Sequence, residues 1–465
     1  MKKTLSIITA VLLTVTITFS QEKEKEKPPI GSAPKNFVLP KKETITLENG
    51  LKLVMIPYGA IPKATIAVSI KSGNIHEKKD QVWLSDLMAD LLKEGSTSMN
   101  AKEIANKMAE MGGNLDVSVR PHNTNLNTSV LFEFAPDAIH LIGDILKNPK
   151  WPETEIERLK NDMKRNLTVA LSRPQAQANK EFFGRLYPDH PYGQSYSTNT
   201  IIDSFSIEDV KNFYTENYGA QRTTVYIAGR FDKNKVKEAV EKALGDWRKG
   251  PESNYPVAQA KTDPSVQIID RPDAPQSTIY YGLPVVGPSD PDFISLEVTN
   301  SLLGGSFGSR ITSNIREDKG YTYSPRSTIS ANYKSGIWYE SADVTTTHTG
   351  ASIQEINKEI IRLQKEAPSV EELDGIKNYE SGIFVLRNST PQGIINQLSF
   401  LDRHDLDESY LKDRVKNIQS VTPEKVVEMT KKYINPDKMT LIIVGDKKKV
   451  QQQVQEVIKP ESLKQ

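Results

Sequence analysis

The sequence predicts an α+β protein made of two homologous domains, each a sheet with helices packed on it. Two observations carry that expectation. An internal repeat runs through the chain at nearly constant spacing, and each copy mixes strands and helices without strict βαβ alternation. Length and composition agree: 465 residues exceed one ordinary core, and 37% apolar with 26% charged residues is the balance of a globular chain. Sixty basic against 59 acidic residues leave a formal charge of +1 and no basic block, which speaks against a nucleic-acid partner. There is no cysteine, so disulfides, thiolate metal sites and a cysteine nucleophile are excluded.

The repeat is read from short matches in the same order. Pro62-Lys-Ala-Thr-Ile66 recurs as Pro275-Gln-Ser-Thr-Ile279, and Glu94-Gly95-Ser96 has a counterpart in Gly304-Gly305-Ser306. Lys160-Asn161 reappears as Lys377-Asn378, Pro174-Gln175 as Pro391-Gln392, and Gly229 as Gly445. A single dipeptide match is chance. A common order at an offset near 215 is not, and a period that long means paired domains, not a solenoid.

Each copy opens with a short strand, 51–56 after the turn former Asn49-Gly50 and 266–269 in the second copy. A second strand follows, 64–70 and 278–283, and then a helix that stops at the glycines, 84–93 and 293–303. Ser206 and Thr422 are expected N-caps, with an acidic residue in the first helical turn. Those helices lead into apolar strands, 223–228 and 439–444. The domains are therefore placed at 44–250 and 265–460. The proline-rich polar stretch 251–264 between them reads as an exposed linker.

The ends read differently. Lys2 and Lys3 precede an apolar run, with Thr18 and Ser20 before a cleavage point, so 1–20 reads as a secretory signal. An uncleaved anchor is the alternative. Residues 21–43 begin with alternating Glu and Lys and read as a charged tether. The mature chain is expected to be exported, to the periplasm or envelope of a bacterium, with no membrane span after signal cleavage.

Six histidines allow the catalytic options to be enumerated. No His-Glu-x-x-His or His-x-x-Glu-His occurs, since His76-Glu77-Lys78-Lys79-Asp80 ends in aspartate. His76 reads as part of a solvated turn after Gly73-Asn74, and His190 as a loop-fixing residue. Gly304-Gly-Ser-Phe-Gly308 spells Gly-x-Ser-x-Gly but follows a helix rather than a strand, so it does not read as a nucleophile elbow, and there is no Walker loop.

What remains is Leu302-Leu-Gly-Gly-Ser-Phe-Gly-Ser-Arg-Ile311, followed by Ile315-Arg-Glu-Asp-Lys-Gly-Tyr-Thr-Tyr-Ser324. This pair of motifs resembles the second domain of the pitrilysin/insulinase (M16) zinc peptidase family, short two-domain branch. Leu47-Glu-Asn-Gly-Leu51, Gly112-Gly-Asn-Leu115 and His190-Pro-Tyr-Gly193 support the resemblance, which spans about 44–445. It implies the duplicated fold of the mitochondrial processing peptidases. Active members carry His-x-x-Glu-His in the first-domain helix. Here the three matching positions hold Asp86, Ala89 and Asp90, and no third ligand is assignable near 153–166. The resemblance thus implies a non-catalytic subunit type, without zinc of its own.

Arg316 and Tyr323 match the family's pair of hydrogen-bond donors to substrate, and Gly304, Gly305 and Ser306 match the border of its peptide chamber. The leading expectation is a heterodimer in which a catalytic M16 subunit supplies His-x-x-Glu-His and zinc. This chain would add Arg316 and Tyr323 in trans and half of the chamber around a peptide substrate. A non-enzymatic peptide-binding or scaffolding protein is the alternative, and an autonomous hydrolase the third. Blander readings stand beside these. Asp86 and Asp90 lie one helical turn apart, on a solvated helix face or at a hard cation. Gly304 and Gly305 end a helix in the left-handed conformation, and Arg316 pairs with a neighbouring carboxylate.

Overall fold

The computed structural model describes residues 37–458. The expected signal, 1–20, and the tether up to residue 36 lie outside the described residues, as do the last positions of the second copy. Eleven strands form two mixed sheets. The first contains β1 (Glu43–Thr46), β2 (Lys52–Pro57), β3 (Lys63–Ile70), β4 (Asp116–Val119), β5 (Thr124–Leu131) and β6 (Thr223–Gly229), in the order β1-β2-β6-β3-β5-β4. The second contains β7 (Val266–Asp270), β8 (Gln276–Val285), β9 (Arg326–Asn332), β10 (Ser335–Thr345) and β11 (Thr440–Gly445), ordered β7-β11-β8-β10-β9.

Apart from β1, the two sheets have one topology. β2 runs parallel to β6 as β7 does to β11, and every other neighbouring pair is antiparallel. The duplication is thus visible strand for strand. The turn before β2 needs Gly50, whose φ is +90° and whose Cβ would stand 2.9 Å from that of Gln221. Ser206 and Thr422 cap their helices as expected, each hydroxyl accepting from the backbone N–H three residues on, Asp209 and Lys425.

Each half buries one sheet face under its own helices. The first core gathers Leu53, Ile66, Val68 and Leu126 with Leu87, Met88 and Ile142; the second gathers Ile279, Tyr281 and Trp338 with Leu302, Ile356 and Ile360. The opposite faces are covered by exchange. The Pro174–Leu186 helix of the first half packs on β8 and β11 of the second, through Ala178, Phe182 and Leu186. The Pro391–His404 helix of the second packs on β3 and β6 of the first, through Ile394, Ile395 and Leu398. These helices begin at the matching Pro-Gln dipeptides of the repeat. Reciprocal burial of two apolar faces makes the halves one body, because neither sheet keeps its second face dry alone.

One local expectation gains detail and one is corrected. The stretch 251–264 is mostly exposed and without regular structure, yet it is strapped down: the Arg222 guanidinium donates to the carbonyls of Pro251 (3.0 Å) and Glu252 (2.7 Å), and Lys261 N donates to Leu186 O (2.8 Å). Composition alone could not show that a buried arginine elsewhere would collect these carbonyls. The second-copy helix is regular only over Phe293–Asn300 and then widens through a π-type turn, Ser301–Gly305. Neither Gly304 nor Gly305 adopts positive φ. Gly304 is glycine because a Cβ there would meet Ser327 Oγ at 2.5 Å and Glu340 Oε2 at 2.9 Å. Close approach to the sheet, not a left-handed helix end, fixes the residue.

Candidate functional site

The Leu84–Lys93 helix carries Asp86, Ala89 and Asp90, the three positions that the resemblance sets against a metal motif. It starts at Trp83, a non-glycine residue at φ 77°, a left-handed conformation that must be held by its surroundings. Glu77 does the holding. Its carboxylate accepts from Trp83 N (3.0 Å), Ser85 N (2.9 Å) and Ser85 Oγ, and so caps the helix from outside it. Asn74 Nδ2 donates to Asp86 Oδ2 (2.8 Å), to Ser85 Oγ (3.1 Å) and to Glu77 Oε1 (3.3 Å). Burial first, and then the neighbouring Asp86, push Glu77 up to about 8 against those donors; burial pushes Asp86 up to about 6.

Asp86 is thus not on a solvated face. It is half-buried and faces a cavity of about 280 Å³ between the halves, beside Asn74, Trp83, Tyr192 and Asn332. Asp90 pairs with Lys93 at 2.6 Å, one turn away. Ala89 is 3% exposed and belongs to the first core. Among the described residues no three His, Asp, Glu or Cys side chains gather as a metal would require. Two carboxylates already bonded to an amide and an ammonium, with a methyl between them, do not fit a zinc ion.

The second-half corner is arranged differently. Arg316 lies near the end of a second π-type turn, Ser313–Asp318, and Tyr323 in the loop beyond it. The guanidinium stands 4.4 Å from the Phe307 ring centre and 5.0 Å from that of Tyr323. Its only ionic partner among the described residues is the adjacent Glu317, at 3.1 Å. Tyr323 is 78% exposed and its hydroxyl has no partner among them. Ser306 is buried, and Gly304 and Gly305 lie under the sheet edge against Ser327 and Asn300. Arg316, Tyr323 and Phe307 therefore make one cluster, in which two exposed rings flank a half-buried guanidinium. This cluster shares no contact with Asp86, Ala89 or Asp90.

Sequence reasoning missed the residues that link the halves. His76 is not in a solvated turn: it is half-buried, 5.9 Å ring to ring from Tyr255, and burial lowers it to about 4. His122 shares a 2.6 Å hydrogen bond with Tyr192 Oη, and its ring lies 6.3 Å from that of His404. Burial lowers both histidines to about 3. His190 does fix its loop, Nδ1 accepting from Tyr192 N (3.2 Å) and Nε2 lying 3.2 Å from Pro256 O. Glu77 was hidden in a charged run that reads as surface. The regular spacing of Asn123, Asn125 and Asn127 was the one available signal that a polar sheet face lay here.

Comparison with known proteins agrees with this architecture. Residues 54–199 match the family described as "Insulinase (Peptidase family M16)", and 204–379 match "Peptidase M16 inactive domain". Together the two cover more than half of the chain, which belongs to the M16 peptidase family. Among its relatives is a protein named "Non-peptidase homolog YmxG" from Helicobacter pylori, 24% identical over 395 residues, 84% of this chain and 90% of the relative. Another, from Bacillus subtilis, is named "Uncharacterized zinc protease YmxG": 23% identical over 350 residues, 73% of this chain and 83% of the relative. In fold the chain is similar to a protease from Helicobacter pylori, with a TM-score of 0.81 at 18% identity over 88% of this chain and 100% of that one. It is also similar to a peptidase M16 inactive domain from Pseudomonas fluorescens, with a TM-score of 0.77 at 21% identity over 87% and 98%.

Proposed function

We propose that this chain is a non-metallated M16 subunit that assists peptide cleavage by a zinc-bearing partner chain. The partner supplies His-x-x-Glu-His and the metal; this chain supplies Arg316 and Tyr323 in trans and half of the chamber wall. The observation that carries the reading is the contrast between the two corners. At Asp86 and Asp90, each carboxylate already accepts from a neighbour in its own half, Asn74 and Lys93. In the second half a phenol stands exposed beside a half-buried guanidinium, whose partners are the adjacent Glu317 and two rings. Phenol and guanidinium are both donors at neutral pH, suited to a substrate carbonyl oxygen on which negative charge builds. The name borne by the Helicobacter pylori relative is in keeping with a chain that lacks its own peptidase site. The chain is expected to act in an exported compartment, where unfolded peptides are the substrate class.

The test begins with the chain alone. Purified from cells grown with zinc, it is expected to retain no stoichiometric metal by elemental analysis and to cleave no quenched unstructured peptide. Mixed with an M16 chain carrying His-x-x-Glu-His from the same organism, it should form a complex on gel filtration and raise that chain's turnover. Stoichiometric zinc with chelator-sensitive cleavage by the lone chain would overturn the reading.

A further inference from the structure

We propose that the cleft between the two halves around Arg403 binds a carboxylate, that of the C-terminal end of a peptide. The inference goes beyond the subunit role and does not depend on it. The cleft encloses about 540 Å³, within the range of small-ligand sites. One wall is a stripe of the Pro391–His404 helix, Gln392, Asn396, Ser399 and Arg403, at spacings of three and four residues. The facing wall is the outer face of β5, where Asn125 and Asn127 project on one side of the strand. Neither half alone makes the site.

Arg403 is the reason to expect an anion. It is half-buried, its Nε is shut off from solvent without a hydrogen-bond partner, and among the described residues no carboxylate pairs with it. Its electrostatic neighbours are the phenols Tyr255, Tyr192 and Tyr226 and a second guanidinium, Arg120. The acids beside it in sequence are engaged elsewhere: Asp402 pairs with Lys71 at 3.1 Å, and Asp405 accepts from Tyr333 Oη at 2.6 Å. Asp116 lines the cleft too, but it is solvent-exposed on the edge strand. A guanidinium withdrawn from water without a counter-ion is costly, and a carboxylate docking on its planar fork would offset that cost.

The opposite wall says what the carboxylate is attached to. Asn125 Oδ1 accepts from Asn123 (2.7 Å), and among the described residues neither the Asn125 amide N–H groups nor the Asn127 side chain has a hydrogen-bond partner. Primary amides offer both donors and acceptors, the complement of a peptide backbone. Inorganic anions would use the guanidinium and leave these amides idle.

Isothermal titration calorimetry at pH 7 on the full mature chain compares N-acetyl-trialanine as free acid, the same peptide as C-terminal amide, and inorganic phosphate. The free acid is expected to bind about tenfold or more tighter than the amide, as losing a charge-assisted pair requires. Arg403→Gln should erase that difference, and Asn127→Ala should weaken acid and amide by the same factor. The wild-type comparison of acid with amide needs no variant to fold. Equal affinity for acid and amide, no binding of either, or phosphate binding without the free acid would overturn the proposal. So would a folded Arg403→Gln variant that still prefers the acid.

Discussion

Two corners of the molecule occupy matching places in the repeat and have met different fates. In the first half, Gly95 ends its helix at φ +137°, and the acidic side chains of that helix are bonded to Asn74 and Lys93. In the second half, Gly304 and Gly305 end theirs without positive φ, pressed on the sheet, and the loop that follows carries Tyr323 out to solvent beside a half-buried Arg316. Side chains withdrawn into local networks contribute to the fold. An exposed donor that stabilises nothing is free to serve another molecule. The contrast separates the corner built around Asp86 and Asp90 from the corner proposed to work in trans.

The largest effect should come from placing a carboxylate at position 89 in the first corner. Ala89→Glu puts a charge at a site 3% exposed within the first core. A loss of about 3 kcal/mol or more is expected in urea unfolding. A tolerated glutamate would mean that the corner is still open to a metal, and would weaken the comparison. On the other side, Gly304→Ala forces a methyl against Ser327 and Glu340 and is expected to cost about 1–3 kcal/mol. A neutral result would mean the turn yields easily and does not hold the Arg316 loop in place.

The pH dependence sharpens the contrast further. Glu77 titrates near 8 folded and in the ordinary carboxylate range unfolded, so between those values the folded state holds the extra proton. Stability from this group is present below about 4.5 and is lost as pH rises toward 8. His76, His122 and His404 act in the opposite sense: their folded values are depressed to about 4, 3 and 3, so they lose stability as pH falls below 6.5. From pH 6.5 to 8 the carboxylate acts alone among these four. Wild-type urea midpoints should therefore fall across that window, by an amount on the order of a few kcal/mol at most, and Glu77→Gln should flatten the slope. A slope that survives the substitution would show that Glu77 is not the group responsible. The smallest effect belongs to Tyr323→Phe, which should leave stability within about 0.5 kcal/mol because the hydroxyl has no partner to lose.

Much of the architecture was legible in the residues. The repeat, the Leu84–Lys93 helix and the two N-caps announce themselves through local pattern, and local forces decide them. The exchange of helices between sheets was not legible, although the Pro174 and Pro391 starts were in plain view. Which sheet an apolar helix covers is settled by tertiary packing. The candidate site was half legible. Arg316 and Tyr323 stand in a recognisable motif, but Glu77 sits in a run of charges whose local composition argues for solvent. Only the fold reveals that a helix start, with Trp83 held at positive φ, needs that carboxylate. Arg403 was equally silent, because a buried charge without a partner is a property of its surroundings.

The most direct test of the central claim is the turnover of a quenched peptide by the complex of this chain with the proposed zinc-bearing partner, using wild-type and Tyr323→Phe chains. Losing one placed donor should lower turnover on the order of a hundredfold, with assembly on gel filtration and melting temperature unchanged. Equal turnover by the two complexes would contradict the account and leave Tyr323 without a part in the reaction.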